Sequence, residues 1–287
     1  MTTRSAGESG RGVTLTCMEV WGGSDAFENA VSVPGIDAWL CSIPHEGAAE
    51  GGDVHYISLC AAGQIARFVV ADVAGHGADV AGFSSSLRTM VRKSINTPDQ
   101  TRIARTLNGM MSDSDQMDGR FATAILSSYF APTRTLSLVN AGHPRPIFYS
   151  AASGGWRVLD AETAERFEGP SNLPLGVIDR TPYAQFGVRL EAGDAVVLYT
   201  DSLTEAKRTD GSMLGEAGLL DVARALDHGD PGGMAKGLVA GVRAQAGDGA
   251  IDDDITVLVL LANGQQPPAP TLRERARAMG RLAGLPI

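Results

Sequence analysis

Two apolar runs decide the fold: Val54-His-Tyr-Ile-Ser-Leu-Cys60 and Ile65-Ala-Arg-Phe-Val-Val-Ala71, joined only by Ala61-Ala-Gly-Gln64. Both are rich in β-branched and aromatic residues and are bounded by Gly and Asp, the composition of strands. Four linking residues are too few for a crossover helix, so the runs are expected to pair antiparallel. Working outward, further strands are expected at Val13–Val20 and Ala38–Ile43, then at Ala122–Phe130, Thr135–Asn140, Pro146–Ser150, Ala195–Thr200 and Ile255–Ala262. Helical spacing falls between them. Val80, Phe83, Leu87, Met90 and Val91 recur at three- and four-residue intervals across Ala78–Ile95, and Ile103, Leu107 and Met110 do so across Asp99–Met111. Two more helices are expected at Ala217–Leu226 and Gly233–Gln245. Helices that arrive in consecutive pairs, not one per strand, give an α+β pattern. So many strands imply two mostly antiparallel sheets packed as a central sandwich with helices outside. Ser153–Asn172 reads as an ordered excursion.

Residues 1–12 are polar and Gly/Ser-rich, a flexible lead. Residues 13–262 form the domain, and 263–287 form a Pro-containing tail that turns helical and basic. The 287 residues, 44% hydrophobic and 20% charged, are ordinary globular composition. A net charge of -9 disfavours nucleic acid and anionic lipid as partners. No apolar run is long enough to span a membrane. The three cysteines, Cys17, Cys41 and Cys60, are dispersed without a C-x-x-C pair. That fits a reducing, cytoplasmic setting in which each thiol is a small core hydrophobe. Phosphate-loop, zinc-helix and nucleophile-elbow motifs are missing. The five histidines are scattered, which argues against a His-rich metal site.

The informative feature is acid at the edges of apolar strands. Asp53 opens Val54–Cys60 and Asp72 closes the next run. Asp201 follows Asp194-Ala-Val-Val-Leu-Tyr-Thr200, and Asp253, inside Asp252-Asp-Asp254, precedes Ile255–Ala262. Strands buried on both faces read as continuous apolar runs, so a carboxylate at their mouth sits at the rim of the core. Carboxylates converging there repel one another. Hard cations such as Mg²⁺ or Mn²⁺ remove that repulsion. One Asp at a strand end is more often a turn former, and Asp252–Asp254 alone reads equally well as a solvated run. The segment Asp72-Val-Ala-Gly-His-Gly77 adds a strand end, a tight glycine turn and a helix start.

In these residues the chain resembles the metal-dependent PPM (2C-type) Ser/Thr phosphatases, specifically the bacterial SpoIIE/RsbU-like branch. The matching pieces stand in order. They are Gly51-Gly-Asp53, Asp72-Val-Ala-Gly-His-Gly77, Phe121-Ala-Thr123, Asn140-Ala-Gly-His-Pro144, Leu175-Gly-Val177, Gly193-Asp194, Tyr199-Thr-Asp-Ser-Leu-Thr-Glu-Ala206 and Asp253-Asp-Ile-Thr256. The resemblance implies a binuclear Mn²⁺ or Mg²⁺ centre. Asp53 and Asp72 would hold the metal pair, with Asp72 bridging, Val73 would add its carbonyl, and Asp201 and Asp253 would complete the site. Asp253 ranks above Asp254, and Asp252 ranks last. It further implies direct attack of metal-activated water on phosphoserine or phosphothreonine of a protein partner, an anti-sigma-factor antagonist being the candidate. His76, just after Asp72, is the candidate for a catalytic part beside Asp53 and Asp72. His143, Thr123 and Thr256 read as structural. No general acid and no phosphate-gripping cation can be assigned by this carry-over.

Ser202 stands where the family pattern has Gly after the third-motif Asp, and Val54-His-Tyr56 departs from the usual first motif. These departures keep open a catalytically weakened pseudophosphatase that acts as a regulatory binding module. A hydrolase of small phosphate esters is the third reading. The sequence carries no signal for oligomeric state.

Overall fold

The computed structural model describes residues 18–60, 63–75, 80–97, 99–114, 119–159, 167–246 and 251–266. His76, the 1–12 lead and the tail beyond residue 266 lie outside them. Among the described residues the strands are β1 (Met18–Asp25), β2 (Phe27–Val33), β3 (Ile36–Ile43), β4 (Glu50–Cys60), β5 (Ile65–Val73), β6 (Ala122–Phe130), β7 (Thr135–Ala141), β8 (Ile147–Ser150), β9 (Gly155–Val158), β10 (Gln185–Arg189), β11 (Ala195–Tyr199) and β12 (Ile255–Ala262). The α-helices are α1 (Ala81–Ser94), α2 (Gln100–Ser112), α3 (Ser202–Glu205), α4 (Gly215–Arg224) and α5 (Pro231–Gln245). The strands make two six-stranded sheets, ordered β1-β4-β5-β6-β7-β10 and β2-β3-β12-β11-β8-β9. Their named pairings are all antiparallel.

Alternation along β5 explains the layering. Phe68 and Val70 face the second sheet, packing with Leu40, Val196, Leu198, Leu258 and Leu260. Val69, Ala71 and Val73 face the other way, onto Leu87, Val91, Ile103 and Leu107 of α1 and α2. The second sheet repeats the arrangement: Val257 and Val259 pack outward against Leu219 of α4 and Leu238 and Val242 of α5. With both faces of a central strand covered, most positions are apolar, and the polar exceptions such as His55, Ser58 and Arg67 are themselves buried. That is why β4, β5 and β12 lack polar alternation. The helix starts are specified locally. Asp99 caps α2 by accepting from the backbone N–H groups of Thr101 and Arg102, and Asp230 caps α5 in the same way with Pro231 in the first turn.

The strands expected from Ala38 onward and the four expected helices are present; of the strand expected at Val13–Val20, residues 13–17 lie outside the described residues and β1 begins at Met18. The short β9 and β10, the hairpin strand β2 and the single-turn α3 were not expected from the sequence. Cys60 corrects another reading: it is disulfide-bonded, while Cys41 is a buried free thiol. The cysteines therefore give no support to a reducing compartment. No helix among the described residues is long and apolar enough to cross a membrane.

Candidate metal centre

Asp53 and Asp72 are direct register partners across β4 and β5, and Asp72 is in turn opposite Thr123 on β6. Asp53 lies three residues inside the start of β4 and Asp72 one residue inside the end of β5, so the antiparallel ladder fixes their separation. The second sheet brings its acids to the same end. Tyr199 closes β11, Thr200 follows, and Asp201 immediately precedes α3, while Asp253 and Asp254 lead into β12. The two segments are tied by the Thr200 N–H, which donates to the Thr256 carbonyl at 3.1 Å.

A hydroxyl links the sheets. Thr200 Oγ1 donates to Asp53 Oδ2 at 3.0 Å and accepts from the Thr256 N–H at 2.9 Å. Thr200 escaped the sequence reading, since a Thr closing a strand carries no signal of its own. Ser84 of α1 also escaped it. Its Oγ donates to the carbonyls of Gly51, at 2.8 Å, and Gly52, at 3.1 Å, anchoring the helix on the strand that carries Asp53. Between them the β5–α1 turn uses Gly75 at φ +113, a conformation other residues resist.

Asp254 has a different task from Asp253. It is buried, and its two oxygens accept from the backbone N–H groups of His45 and Gly52, each at 2.6 Å. Both oxygens thus serve the protein itself. Asp253 is half-buried, and its Oδ1 accepts the Asp254 N–H at 2.8 Å. Asp252 is exposed, 3.6 Å from the His45 imidazole.

The electrostatics record how close the acids are. Burial, then the charges of Asp53, Asp201, Asp253 and Asp254, push Asp72 up to about 9. Burial also holds Asp53 well above the carboxylate range. Asp254 and Asp253 push in the same direction, against hydrogen bonds from Thr256 and Thr200. Asp201 is raised to about 6 by burial, with Glu205 and Asp253 adding to it. Such mutual repulsion in a partly dry site is the condition that hard dications relieve, and an all-oxygen donor set suits Mg²⁺ or Mn²⁺. Among the described residues no three acidic, His or Cys side chains form a finished coordination shell. The carboxylates stand within electrostatic reach of one another without closing around one point. Val73 ends β5 beside Asp72, with its side chain buried in the helix-facing core.

His143 is a turn residue. Asn140 Oδ1 accepts the His143 N–H at 2.7 Å, and Asn140 Nδ2 donates to the His143 carbonyl at 2.8 Å. Its Nδ1 lies 2.8 Å from Thr123 Oγ1, and burial pushes the imidazole down to about 3, so it stays neutral. Ser202 lies in the first turn of α3, after Asp201 at φ -62 and ψ -21, and is not among the residues with positive φ.

The family model for Stage II sporulation protein E (SpoIIE) matches residues 63–263, most of the chain. The chain belongs to the SpoIIE family. This SpoIIE-family protein is 24% identical over 185 residues to the phosphoserine phosphatase RsbU of Bacillus subtilis, a match covering 60% of the chain and 51% of RsbU. It therefore spans about half the length of that curated relative. Among solved structures it resembles the RsbU and RsbW domains of Rv1364c from Mycobacterium tuberculosis, with a TM-score of 0.67, 25% identity, and coverage of 91% of this chain and 72% of that one. The PP2C phosphatase domain of Bacillus subtilis SpoIIE, solved with a fragment of its regulatory domain, also aligns at a TM-score of 0.67. There the identity is 19%, over 84% of this chain and 66% of that one. The two six-stranded sheets and flanking helices are thus the PP2C-type fold.

Proposed function

We propose that this protein is a divalent-metal-dependent serine/threonine phosphatase that hydrolyses phosphoserine or phosphothreonine on a protein partner. The observation that carries the reading is the register pairing of Asp53 with Asp72, with Asp201 and Asp253 of the other sheet within electrostatic reach. Two Mn²⁺ or Mg²⁺ ions would be held by Asp53, Asp72, the Val73 carbonyl, Asp201 and Asp253. When bound, such ions make water acidic enough to act as a nucleophile near neutral pH and offset charge on the phosphoryl oxygens.

The chain's own residues prepare that site. Thr200 orients the Asp53 carboxylate, and Asp254 holds the backbone at Gly52 so that Asp53 is presented from a rigid strand. Asp72 is half-buried, and the reduced solvent around it strengthens charge interactions there. The mechanism needs no covalent phosphoenzyme, in keeping with the lack of a nucleophile motif. RsbU, by name a phosphoserine phosphatase, supports phosphoserine as the group attacked. A phosphorylated anti-sigma-factor antagonist in the cytoplasm is the substrate this branch of the family suggests. The binding-module alternative drew on Ser202 and on the altered first motif, Val54-His-Tyr56; the right-handed backbone at Ser202 removes the first of these supports.

The test uses chelator-stripped protein, a phosphoserine-bearing anti-sigma-factor antagonist and p-nitrophenyl phosphate. Mn²⁺ should restore phosphate release from the phosphoprotein, and Asp53→Asn, Asp72→Asn and Asp201→Asn should each lower it by about 100-fold or more. Metal-loaded protein that binds Mn²⁺ in calorimetry but releases no phosphate from phosphoprotein would refute the reading. Turnover of the small ester alone would favour a small-ester hydrolase.

A further inference from the structure

Five large hydrophobic side chains are strongly exposed among the described residues: Phe121, Phe130, Val177, Ile178 and Met213. Three of them, Phe121, Val177 and Ile178, are 41%, 48% and 50% exposed and belong to two segments that meet beside the Asp72 turn. The Ala122 N–H donates to the Leu175 carbonyl at 3.0 Å, and the Leu175 N–H to the Ala122 carbonyl at 2.7 Å. That pairing brings Gly176 against the backbone of Arg120, where an added Cβ would lie 3.3 Å from the Arg120 carbonyl. On the other side the Ala74 N–H donates to the Phe121 carbonyl at 3.0 Å. The apolar residues are therefore continuous with the turn that follows Asp72.

This shelf is held rigidly. Buried Asn108 accepts the Gly176 N–H at 2.9 Å and donates to the Ile178 carbonyl at 3.0 Å, and Thr181 Oγ1 donates to the same carbonyl at 2.8 Å. These bonds hold the backbone on either side of Val177, from the Gly176 N–H to the Ile178 carbonyl. Isolated exposed hydrophobes need no explanation, but a preorganised group of them marks a binding surface.

Arg120 supplies a charge at its edge. Its Nη1 donates to the Ala74 carbonyl at 2.8 Å, and its guanidinium lies 4.5 Å from the Phe83 ring centre. It makes no ion pair among the described residues. In a chain of net charge -9, a half-buried arginine with no ion pair among the described residues, bonded to the carbonyl of Ala74 two residues after Asp72, suits a dianionic phosphate.

We infer that Arg120, Phe121, Val177 and Ile178 form the docking shelf for the phosphoserine-bearing segment of the protein substrate. The arginine faces the phosphate, and the three hydrophobes take apolar side chains flanking the phosphoserine. The inference rests on the phosphatase reading and adds to it a specificity: substrates with Leu, Ile or Val beside the phosphoserine.

The experiment compares two phosphoserine peptides with the Mn²⁺-loaded full chain. One carries Leu and Val on either side of the phosphoserine, the other Gly and Ser. The readout is the ratio of their kcat/KM values within one protein, which cancels any general change in turnover. The unsubstituted chain should favour the apolar peptide about tenfold or more, the scale of burying one or two aliphatic side chains. Combined Phe121→Ser, Val177→Ser and Ile178→Ser should bring the ratio near one, whereas Phe130→Ser, an equally exposed site at the far end of β6, should leave it intact. Arg120→Ala should raise KM for both peptides. Equal use of the two peptides by the unsubstituted chain, or a preference that survives the triple substitution, overturns the shelf. So does a dimer, seen by sedimentation, that the triple substitution dissolves without changing the ratio. Failure to turn over either peptide or p-nitrophenyl phosphate strikes at the phosphatase reading itself, and the shelf falls with it.

Discussion

A side chain on Gly51 would collide with the carboxylate of Asp254: a Cβ there would lie 2.4 Å from Oδ1 and 2.5 Å from Cγ. Two motifs two hundred residues apart thus share one space. The glycine lets β4 pass close enough for Asp254 to take the N–H groups of His45 and Gly52.

Asp254 is accordingly a stability residue. Asp254→Ala strands two backbone donors in a dry site, so it should cost about 2–4 kcal/mol. Gly51→Ala should cost about 1–3 kcal/mol through the clash. Urea unfolding in chelator at pH 5, where Asp72 is protonated, measures both; Asp253→Ala under the same conditions should cost under about 1 kcal/mol, as expected of a half-buried side chain outside the core.

The metal-free protein should lose stability as pH rises. Asp72 is held up to about 9 and Asp201 to about 6, both above the ordinary carboxylate value of an unfolded chain. Below that ordinary value both states carry the protons and nothing is gained or lost. Above it the unfolded chain releases protons that the folded chain retains, so the advantage of the protonated fold declines up to about pH 9. Asp72→Asn should flatten the profile and raise metal-free stability near pH 7 by about 1–3 kcal/mol. A stability curve that rises between pH 5 and 8 in chelator would contradict this. Cations compete with the same protons, so Mn²⁺ affinity measured by calorimetry should strengthen over that interval.

Ser202→Gly restores the residue usual in the family and should bring no gain. The site has ordinary helical angles, so glycine adds flexibility to the unfolded chain and removes a buried hydroxyl 3.4 Å from Thr200 Oγ1, costing about 1–2 kcal/mol in all. kcat/KM should stay within about twofold of the parent, because no strain is released there.

His143 should not shape the pH dependence of catalysis. It is buried, neutral and held by Thr123. His143→Ala should destabilise by about 2–4 kcal/mol, through a cavity and an unpaired hydroxyl, while the pH–rate profile of the remaining activity keeps its midpoints.

Much of the architecture was written locally. β6 and β12 begin and end where their apolar runs do, and α2 starts after its Asp99 cap, because strand and cap signals act over a few residues. β9 and β10 are four and five residues long and leaned on neighbours more than on their own composition. Asp53, Asp72, Asp201 and Asp253 were marked in the chain by type, order and position at strand ends. Their assembly was not, since it depends on the β4–β5 register and on how two sheets stack. The same holds for the difference between Asp253 and Asp254, adjacent and chemically identical: only burial and the nearby N–H groups of His45 and Gly52 make Asp254 a structural carboxylate. Phe121 and Val177 stood in motif pieces, but nothing in the sequence joined them with Arg120 and Ile178 into one surface, because a surface acquires meaning from what lies across it in space. Periodicity and motif order reach as far as secondary structure and residue chemistry; proximity between distant segments is a property of packing alone.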